Sequence, residues 1–302
     1  MASSTLQYDT IKYGPHDLQT IGLWGSVKEG HLAGKTWIMA TSPMIPLSNA
    51  GLSYLHGGAW RDPRKTHLDF TPTLNHFHAL PESSRVGGYA SIDYRLSPHP
   101  EFPQDPASTP PEKLRNASHP DHLRDVWSGL QLLQQSFGFG GDYIVVGHSA
   151  GATMAYQLLM GATALGGEGA EVPSGVELPR AVVGFQGIYD LRGLVARFGP
   201  GYAGFITAAF GDDTSAWDRA SPMKYTGGFA SNWKGGEVTV LGRSPDDELV
   251  DAAELEGMAQ VLEKEGINHL VFKDMKGSHD GVWQDGQHVA RLIAETIKAI
   301  SP

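Results

Sequence analysis

The sequence contains no cysteine among its 302 residues. This absence excludes disulfide bonds, thiolate metal sites and a cysteine nucleophile. Basic residues are few, 23 against 33 acidic ones, which gives a net charge of −10. Because the basic residues are scattered along the chain and form no cluster, a nucleic-acid partner is not expected. No run approaches the roughly eighteen apolar residues of a membrane span, and the start of the chain lacks the basic and apolar regions of a signal peptide. We therefore expect a cytoplasmic protein without a membrane partner.

Composition and pattern indicate one α/β domain. Hydrophobic residues make up 40% of the chain and charged residues 19%, as is typical of a globular protein with a sizeable core. Apolar runs of strand length alternate with segments of helical periodicity, which predicts a mostly parallel sheet with helices on both faces. We expect a single domain over residues 1–302, with a cap insertion at about 188–233, where this alternation lapses.

The individual elements follow from the same patterns. The predicted strands cover residues 19–24, 35–40, 52–55, 89–93, 143–146, 180–187, 237–242 and 269–274. The predicted helices cover residues 70–80, 121–133, 152–159, 249–265 and 286–300. Segments rich in proline, serine or glycine predict loops at residues 42–50, 98–120 and 166–173.

A G-x-S-x-G segment lies between a predicted strand and a predicted helix, which is the position that a nucleophilic serine requires. Gly147, Ser149 and Gly151 follow the strand predicted at 143–146 and precede the helix predicted at 152–159. A serine at such a strand-to-helix turn is lifted clear of the backbone, and side chains at the two glycine positions would collide with neighbouring main chain. We therefore predict that Ser149 is a nucleophile. A glycine-rich turn without chemistry is the alternative.

A second glycine motif, H-G-G at residues 56–58, follows the strand predicted at 52–55. Paired glycines after a buried strand let backbone N–H groups face a neighbouring site, and H-G-G is the form of this loop in esterase-type α/β-hydrolases. The sequence therefore predicts an oxyanion hole made by the N–H groups of Gly57, Gly58 and Ala150. An ordinary strand-to-loop turn is the alternative.

A nucleophilic serine needs a histidine base and a carboxylate that orients it, and in this fold the carboxylate precedes the histidine. Asp247 lies in the acidic loop after the strand at 237–242, and we favour it over Asp246, which would cap the following helix. Of the 13 histidines, only His279 lies just after the last predicted strand and before the last predicted helix. We predict it as the base, a surface-loop histidine being the alternative. Asp280 is adjacent, but the chain order favours Asp247.

Four other histidines have simpler interpretations. We expect His56 to brace the glycine loop and His148 to be a packing residue within the G-x-S-x-G turn at residues 147–151, called the elbow below. His119 and His122 have a spacing that metal ligands use, but no third ligand lies nearby in the sequence. We therefore predict no metal site, and a Ser-His-Asp mechanism requires no organic cofactor.

These motifs are similar to those of the fungal kynurenine formamidases, a branch of the α/β-hydrolases near the hormone-sensitive-lipase-like esterases. The similarity runs in order from about residue 50 to the C-terminus. The segments that carry it are YLHGGAWRDP (54–63), DYRLSP (93–98), VGHSAGAT (146–153), GIYDL (187–191), SPDDEL (244–249) and HDGVW (279–283).

The resemblance implies an α/β-hydrolase fold and hydrolysis of N-formyl-L-kynurenine to L-kynurenine and formate, in tryptophan degradation towards NAD. It also implies Ser149, Asp247 and His279 as the triad. We expect Trp60 and Tyr189 to be the aromatics nearest the substrate. A broad esterase for short acyl chains would use the same triad, whereas a receptor or adhesion module on this fold would lack one member. The oligomeric state is left open.

Overall fold

The computed structural model describes residues 6–26, 50–167 and 170–300. Its strands are β1 Leu6–Lys12, β2 Thr20–Ser26, β3 Ala50–Leu55, β4 Val86–Ile92, β5 Tyr143–His148, β6 Ala181–Phe185, β7 Val238–Gly242 and β8 His269–Phe272. Within these ranges they form one eight-stranded sheet in the order β1-β2-β4-β3-β5-β6-β7-β8. The pairs β1–β2 and β2–β4 are antiparallel, whereas the pairs from β4–β3 through to β7–β8 are parallel. The predicted fold class is confirmed.

The helices in the same ranges connect and cover these strands. They are α1 Thr71–Phe77, α2 Asp121–Phe137, α3 Ala150–Met160, α4 Leu191–Phe198, α5 Ala203–Phe210, α6 Thr214–Ala220, α7 Phe229–Asn232, α8 Ala252–Lys264, α9 Gly281–Asp285 and α10 Gln287–Ala299. Short 3₁₀ helices occupy His67–Phe70, Pro81–Arg85, Pro111–Lys113, Gly161–Leu165, Pro200–Tyr202 and Pro222–Lys224. None of the helices in the described ranges is long and apolar enough to cross a membrane.

The sheet separates two apolar core layers because successive side chains of a strand point to opposite faces. In β5, Tyr143 and Val145 pack in the layer that also holds the apolar faces of α2, α3 and α8. Ile144 and Val146 pack in the opposite layer with α1 and α10. A strand buried on both faces has a nearly continuous apolar sequence, which explains the pattern that identified β5.

Several element boundaries differ from those predicted. Strand β1 was not predicted, because it is an edge strand with mostly exposed, polar residues and no apolar alternation. Helix α8 begins at Ala252 rather than at 249, since the Asp247 side chain accepts hydrogen bonds from the N–H groups of Leu249 and Val250 and holds them in a turn. Helix α9 has only five residues, too few for a periodic signal.

The helix predicted at 70–80 is a 3₁₀ helix followed by α1, which ends at Phe77. The loop predicted at 98–120 contains one short 3₁₀ helix, Pro111–Lys113. The strand predicted at 35–40 and the loop at 42–49 lie outside the described residues.

Candidate active site

Ser149 occupies the tight turn between β5 and α3. Its φ of 52° and ψ of −119° lie outside the regions that residues with a side chain normally adopt, and such strain is concentrated at functional sites. The Ser149 N–H donates to the carbonyl of Phe185 at the end of β6, 3.1 Å away, which fixes the turn to the neighbouring strand. The side chain therefore stands where the carboxyl ends of the central parallel strands meet.

The two elbow glycines are required by close approach of main chain. A Cβ on Gly147 would lie 2.4 Å from the Gly151 carbonyl oxygen. A Cβ on Gly151 would lie 2.1 Å from the Leu55 oxygen and 2.7 Å from the His56 oxygen. The second glycine thus allows the end of β3 and the H-G-G loop to pass directly beside the elbow, as the motif predicts.

The H-G-G loop lies against the serine. An ideal Cβ on Gly57 would be 3.1 Å from the Ser149 Cβ and 2.6 Å from the His148 Nδ1. Gly58 has a φ of 95°, in the left-handed region that glycine adopts without strain. The loop can approach Ser149 and His148 this closely only because Gly57 has no side chain.

Tyr94 holds the peptide planes of this loop. Its Oη lies 3.1 Å from the carbonyl oxygens of both His56 and Gly57, and burial raises the pKa of Tyr94, so the phenol keeps the proton that it donates. In a planar trans peptide the carbonyl of one residue points opposite to the N–H of the next. The N–H groups of Gly57 and Gly58 are therefore fixed pointing away from Tyr94. Sequence reasoning assigned Tyr94 no function, although it lies in a segment of the resemblance.

His56 stabilises the same loop. Its Nδ1 lies 2.9 Å from the Gly57 carbonyl oxygen, its ring stacks on Tyr94 at 4.4 Å, and its Nε2 is 3.6 Å from Asp93. Burial lowers the pKa of His56, with the charge of Asp93 opposing that effect. These contacts agree with the predicted bracing role.

Asp247 and His279 are brought together from two loops at the carboxyl ends of β7 and β8. The His279 Nδ1 lies 3.0 Å from one Asp247 carboxylate oxygen and 3.1 Å from the other. Both side chains are almost inaccessible, with exposed fractions of 6% for His279 and 0% for Asp247. The main-chain N–H of His279 donates to Glu248 Oε2 at 2.9 Å, a contact that the sequence did not suggest. Asp246 instead lies near the N–H of Gly277, 3.4 Å away.

Aromatic side chains connect the H-G-G loop with the acidic loop. Trp60, two residues after Gly58, packs edge-on against Phe210 at 4.9 Å and lies 6.4 Å from Phe205, so α5 contacts the H-G-G segment. Tyr202 packs against Phe205 at 5.8 Å and donates its hydroxyl to the Leu249 carbonyl at 3.0 Å. The segment predicted as a cap therefore contacts both loops that carry predicted site residues.

The two predicted substrate contacts lie in the packed interior. Trp60 and Tyr189 are each 1% exposed. The Tyr189 ring packs edge-on against Tyr156, and its hydroxyl lies beside Gly184 and Gly187, where an added Cβ would be 2.4 Å and 2.3 Å away. Their role towards substrate stays a prediction.

The histidines with metal-like spacing have other partners. His119 packs on Phe210 at 4.8 Å, and His122 Nε2 lies 3.0 Å from the Ser97 hydroxyl. Burial lowers the pKa of His122 to about 3 and that of His119 to about 4. No cluster of three or more metal-ligating side chains occurs in residues 6–26, 50–167 and 170–300.

The amino-acid sequence is similar to those of several known proteins. The chain is 38% identical to the kynurenine formamidase-like hydrolase fscH of Fusarium equiseti over 251 residues, covering 81% of each chain. It is 36% identical to the kynurenine formamidase avaC of Aspergillus versicolor, covering 77% of this chain and 83% of that one. The kynurenine formamidase of Meyerozyma guilliermondii is 31% identical, covering 99% of this chain and 95% of its own. No family model matches the sequence.

Solved structures support the fold. Carboxyl esterase 2 of Tuber melanosporum superposes with a TM-score of 0.64 at 16% identity, covering 99% of this chain and 88% of the esterase. Esterase LipW of Mycobacterium marinum gives 0.63 at 15% identity, covering 98% and 83%. At such identities the likeness concerns the fold alone. Together with the sequence relatives, it shows that this chain belongs to the kynurenine formamidase family and is a hydrolase of the α/β-hydrolase fold.

Proposed function

We propose that the protein hydrolyses N-formyl-L-kynurenine to L-kynurenine and formate, with Ser149 as nucleophile, His279 as base and Asp247 as the orienting carboxylate. The observation that carries the proposal is the Asp247–His279 contact, in which both carboxylate oxygens lie within 3.1 Å of Nδ1. A carboxylate at Nδ1 selects the tautomer whose Nε2 is free to accept a proton from serine.

In the first step, His279 Nε2 removes the Ser149 proton and Oγ adds to the formyl carbon, so that the carbonyl oxygen becomes an oxyanion. The N–H groups of Gly57, Gly58 and Ala150 are its proposed donors. The proximity of Gly57 to Ser149 supports this assignment, since its Cβ position is 3.1 Å from the Ser149 Cβ. Donors fixed before the reaction stabilise the new charge without reorganising.

In the second step, the C–N bond breaks and the protonated His279 gives its proton to the leaving aniline nitrogen, which releases kynurenine and leaves a formyl ester on Ser149. Water then adds to that ester with His279 as base. Formate departs, and the proton returns to Ser149 Oγ. An aryl amine leaves more readily than an alkyl amine, so esterase-type residues suffice for this amide.

Selectivity for a formyl group requires walls near the acyl carbon, because formyl fills almost no pocket. We propose that residues 188–233 act as a cap that provides such walls. The support is that α5 contacts Trp60 on one side, while Tyr202 just before it donates to the Leu249 carbonyl on the other. The aryl ring and charged head of the substrate would then be bound between the two loops, where Trp60 and Tyr189 are the predicted aromatic contacts.

The test is a comparison of kcat/KM for N-formylkynurenine with that for p-nitrophenyl acetate and p-nitrophenyl butyrate. We expect the formamide to exceed the acetate by at least about tenfold, because ring and head-group contacts are lost with the smaller ester. Ser149→Ala and His279→Ala should each lower kcat by roughly 10³-fold or more while the circular dichroism stays that of the parent.

Two results would contradict the proposal. Butyrate turnover equal to or better than that of the formamide would indicate a roomy acyl pocket and a general short-chain esterase. Normal turnover by a folded Ser149→Ala variant would remove Ser149 as the nucleophile.

A further inference from the structure

His148, the variable residue of the elbow, lies between three parts of the candidate site. Its imidazole is 1% exposed. One face stacks on Phe185 with ring centroids 4.9 Å apart, and the ring is 4.7 Å from that of His279. Its Nδ1 would be 2.6 Å from a Cβ on Gly57. The side chain therefore touches the oxyanion loop, the end of β6 and the loop that carries the predicted base.

The protonation state of His148 follows from its partner. Its Nε2 lies 3.1 Å from the main-chain carbonyl oxygen of His279, and a carbonyl can only accept a hydrogen bond. The Nε2 atom therefore carries the proton. Burial, and then the charge that His279 acquires, lower the pKa of His148, so the ring stays neutral while it donates.

His279 is anchored at three points, and they are not equivalent. Asp247 binds its Nδ1 and Glu248 accepts its main-chain N–H, and both of these partners belong to the loop after β7. Among the described residues that bond to His279, His148 is the one that adjoins Ser149 in the chain. His148 directly precedes Ser149, whose backbone is in the strained turn, so this bond ties the His279 main chain to the chain position next to the serine.

We infer that His148 is a positioning residue, whose Nε2–H bond to the His279 carbonyl holds the base at the correct distance from the serine hydroxyl. This inference rests on the proposed function of Ser149 and His279. It assigns the His148 imidazole a role in the reaction rate beyond the packing that the sequence suggested. A misplacement of about 1 Å between reacting groups can reduce a rate on the order of 10²-fold.

Two variants of similar polarity test the bond. The amide nitrogen of glutamine in His148→Gln reaches about as far as the imidazole Nε2, whereas that of asparagine in His148→Asn ends near the Nδ1 position and cannot reach the His279 carbonyl. We expect His148→Asn to lower kcat about 10²-fold with KM changed less than about threefold. His148→Gln should keep kcat within about tenfold of the parent.

His16 offers a matched control. It is also a buried histidine, 6% exposed, and its Nε2 lies 3.2 Å from the Leu114 carbonyl oxygen, 98 residues along the chain. None of its polar contacts within the described ranges involves a predicted site residue. His16→Asn should lower the free energy of unfolding without changing kcat per folded molecule.

The second readout is the rate at which a fluorophosphonate labels Ser149, measured on the folded fraction. It reports how well the base activates the serine and does not depend on the formamide substrate, so it stays informative even if N-formylkynurenine is not the substrate. We expect labelling to slow in His148→Asn by the same factor as kcat and to recover in His148→Gln. Labelling of His148→Asn at the parental rate, or equal losses in the Asn and Gln variants, would overturn the inference.

Discussion

Lys65 and Asp280 join the loop after the H-G-G glycines to the loop of the predicted base. The Lys65 Nζ lies 2.6 Å from an Asp280 carboxylate oxygen, although 215 positions separate the two residues. Trp283 donates to the other oxygen at 3.0 Å, and its ring centroid lies 4.6 Å from the Lys65 ammonium. The stem of Lys65 would be 2.7 Å from a Cβ on Gly58. The ion pair therefore connects the segment packed against Gly58 of the H-G-G loop to the residue after His279.

The first prediction is that Asp280→Asn lowers the activity far less than the loss of a predicted triad residue would. Partial burial alone would raise the pKa of Asp280, but the hydrogen bonds from Lys65 and Trp283 outweigh it and lower that pKa. The charge of Asp280 therefore serves the ion pair and not the His279 imidazole. We expect kcat to fall at most about tenfold and the free energy of unfolding to fall by about 1 kcal/mol, since the Asp280 side chain is 41% exposed. Steady-state kinetics and urea unfolding would check this. A loss of about 10³-fold would make Asp280 the orienting carboxylate.

The second prediction separates Asp247 from its neighbour. Asp247→Asn should lower kcat on the order of 10²–10⁴-fold, because the amide can place a donor against Nδ1 and favour the wrong tautomer. Asp246→Asn should lower it only a few-fold, since Asp246 is exposed and its contact with the Gly277 N–H is long, 3.4 Å. The two single variants, assayed at one pH with folding verified, provide the comparison. The reverse ranking would transfer the role to Asp246.

The parts of the candidate site that could be predicted from the sequence are those that depend on backbone geometry. Gly147 and Gly151 stand where main chain approaches too closely for a side chain, and Gly57 stands where the His148 and Ser149 side chains do. Such positions leave a pattern at fixed spacing. Asp247 and His279 could be located because each follows a strand of the sheet, and strand ends converge in a parallel sheet.

The supporting contacts could not be predicted, because they join residues far apart in the chain. Tyr94 bonds to the carbonyls of His56 and Gly57, 38 and 37 positions away in the chain, and Lys65 pairs with Asp280, 215 positions away. The polar edge strand β1 was missed for a related reason. Its pairing with β2 depends on backbone hydrogen bonds, which need no particular side chains.

The third prediction concerns the pH dependence of stability. Glu254 is fully buried and accepts hydrogen bonds from the N–H groups of Tyr189 and Asp190, and burial raises its pKa from 4.5 to about 7. Between these two values the folded protein retains a proton that the unfolded chain has released. The free energy of unfolding therefore falls as the pH rises from 4.5 to about 7 and is insensitive to this group outside that window.

Glu254→Gln should flatten this slope by up to about 1.4 kcal/mol per pH unit, the limit for one proton. Asp69, whose pKa burial also raises to about 7, will leave a remaining slope. Urea unfolding at pH 5, 6 and 7 measures the change. Glu256→Gln, on the same helix but exposed and paired with Lys273, is the control and should leave the slope nearly as it is. An unchanged slope in Glu254→Gln would refute the prediction.

The fourth prediction tests the role of Tyr189. Its hydroxyl is buried and makes no hydrogen bond to any residue within the described ranges, so Tyr189→Phe removes an unpaired polar group. A purely packing role predicts that the free energy of unfolding stays equal or rises, with kcat and KM for N-formylkynurenine unchanged. A role in substrate binding predicts a KM raised several-fold at unchanged stability. The pair of measurements decides between the two.

The fifth prediction concerns the oxyanion loop. In Gly57→Ala the new methyl group would lie 2.6 Å from the His148 Nδ1 and 3.1 Å from the Ser149 Cβ, so either the loop moves away from the serine or the His148 ring is displaced. Displacing one donor from an oxyanion hole lowers kcat on the order of 10²–10³-fold, and we expect a loss of that size with KM little changed. Gly88→Ala is the matched control, because a Cβ there meets nothing within 4 Å. Steady-state kinetics on both variants would check this, and parental kcat in a folded Gly57→Ala protein would show that the Gly57 N–H does not stabilise the oxyanion.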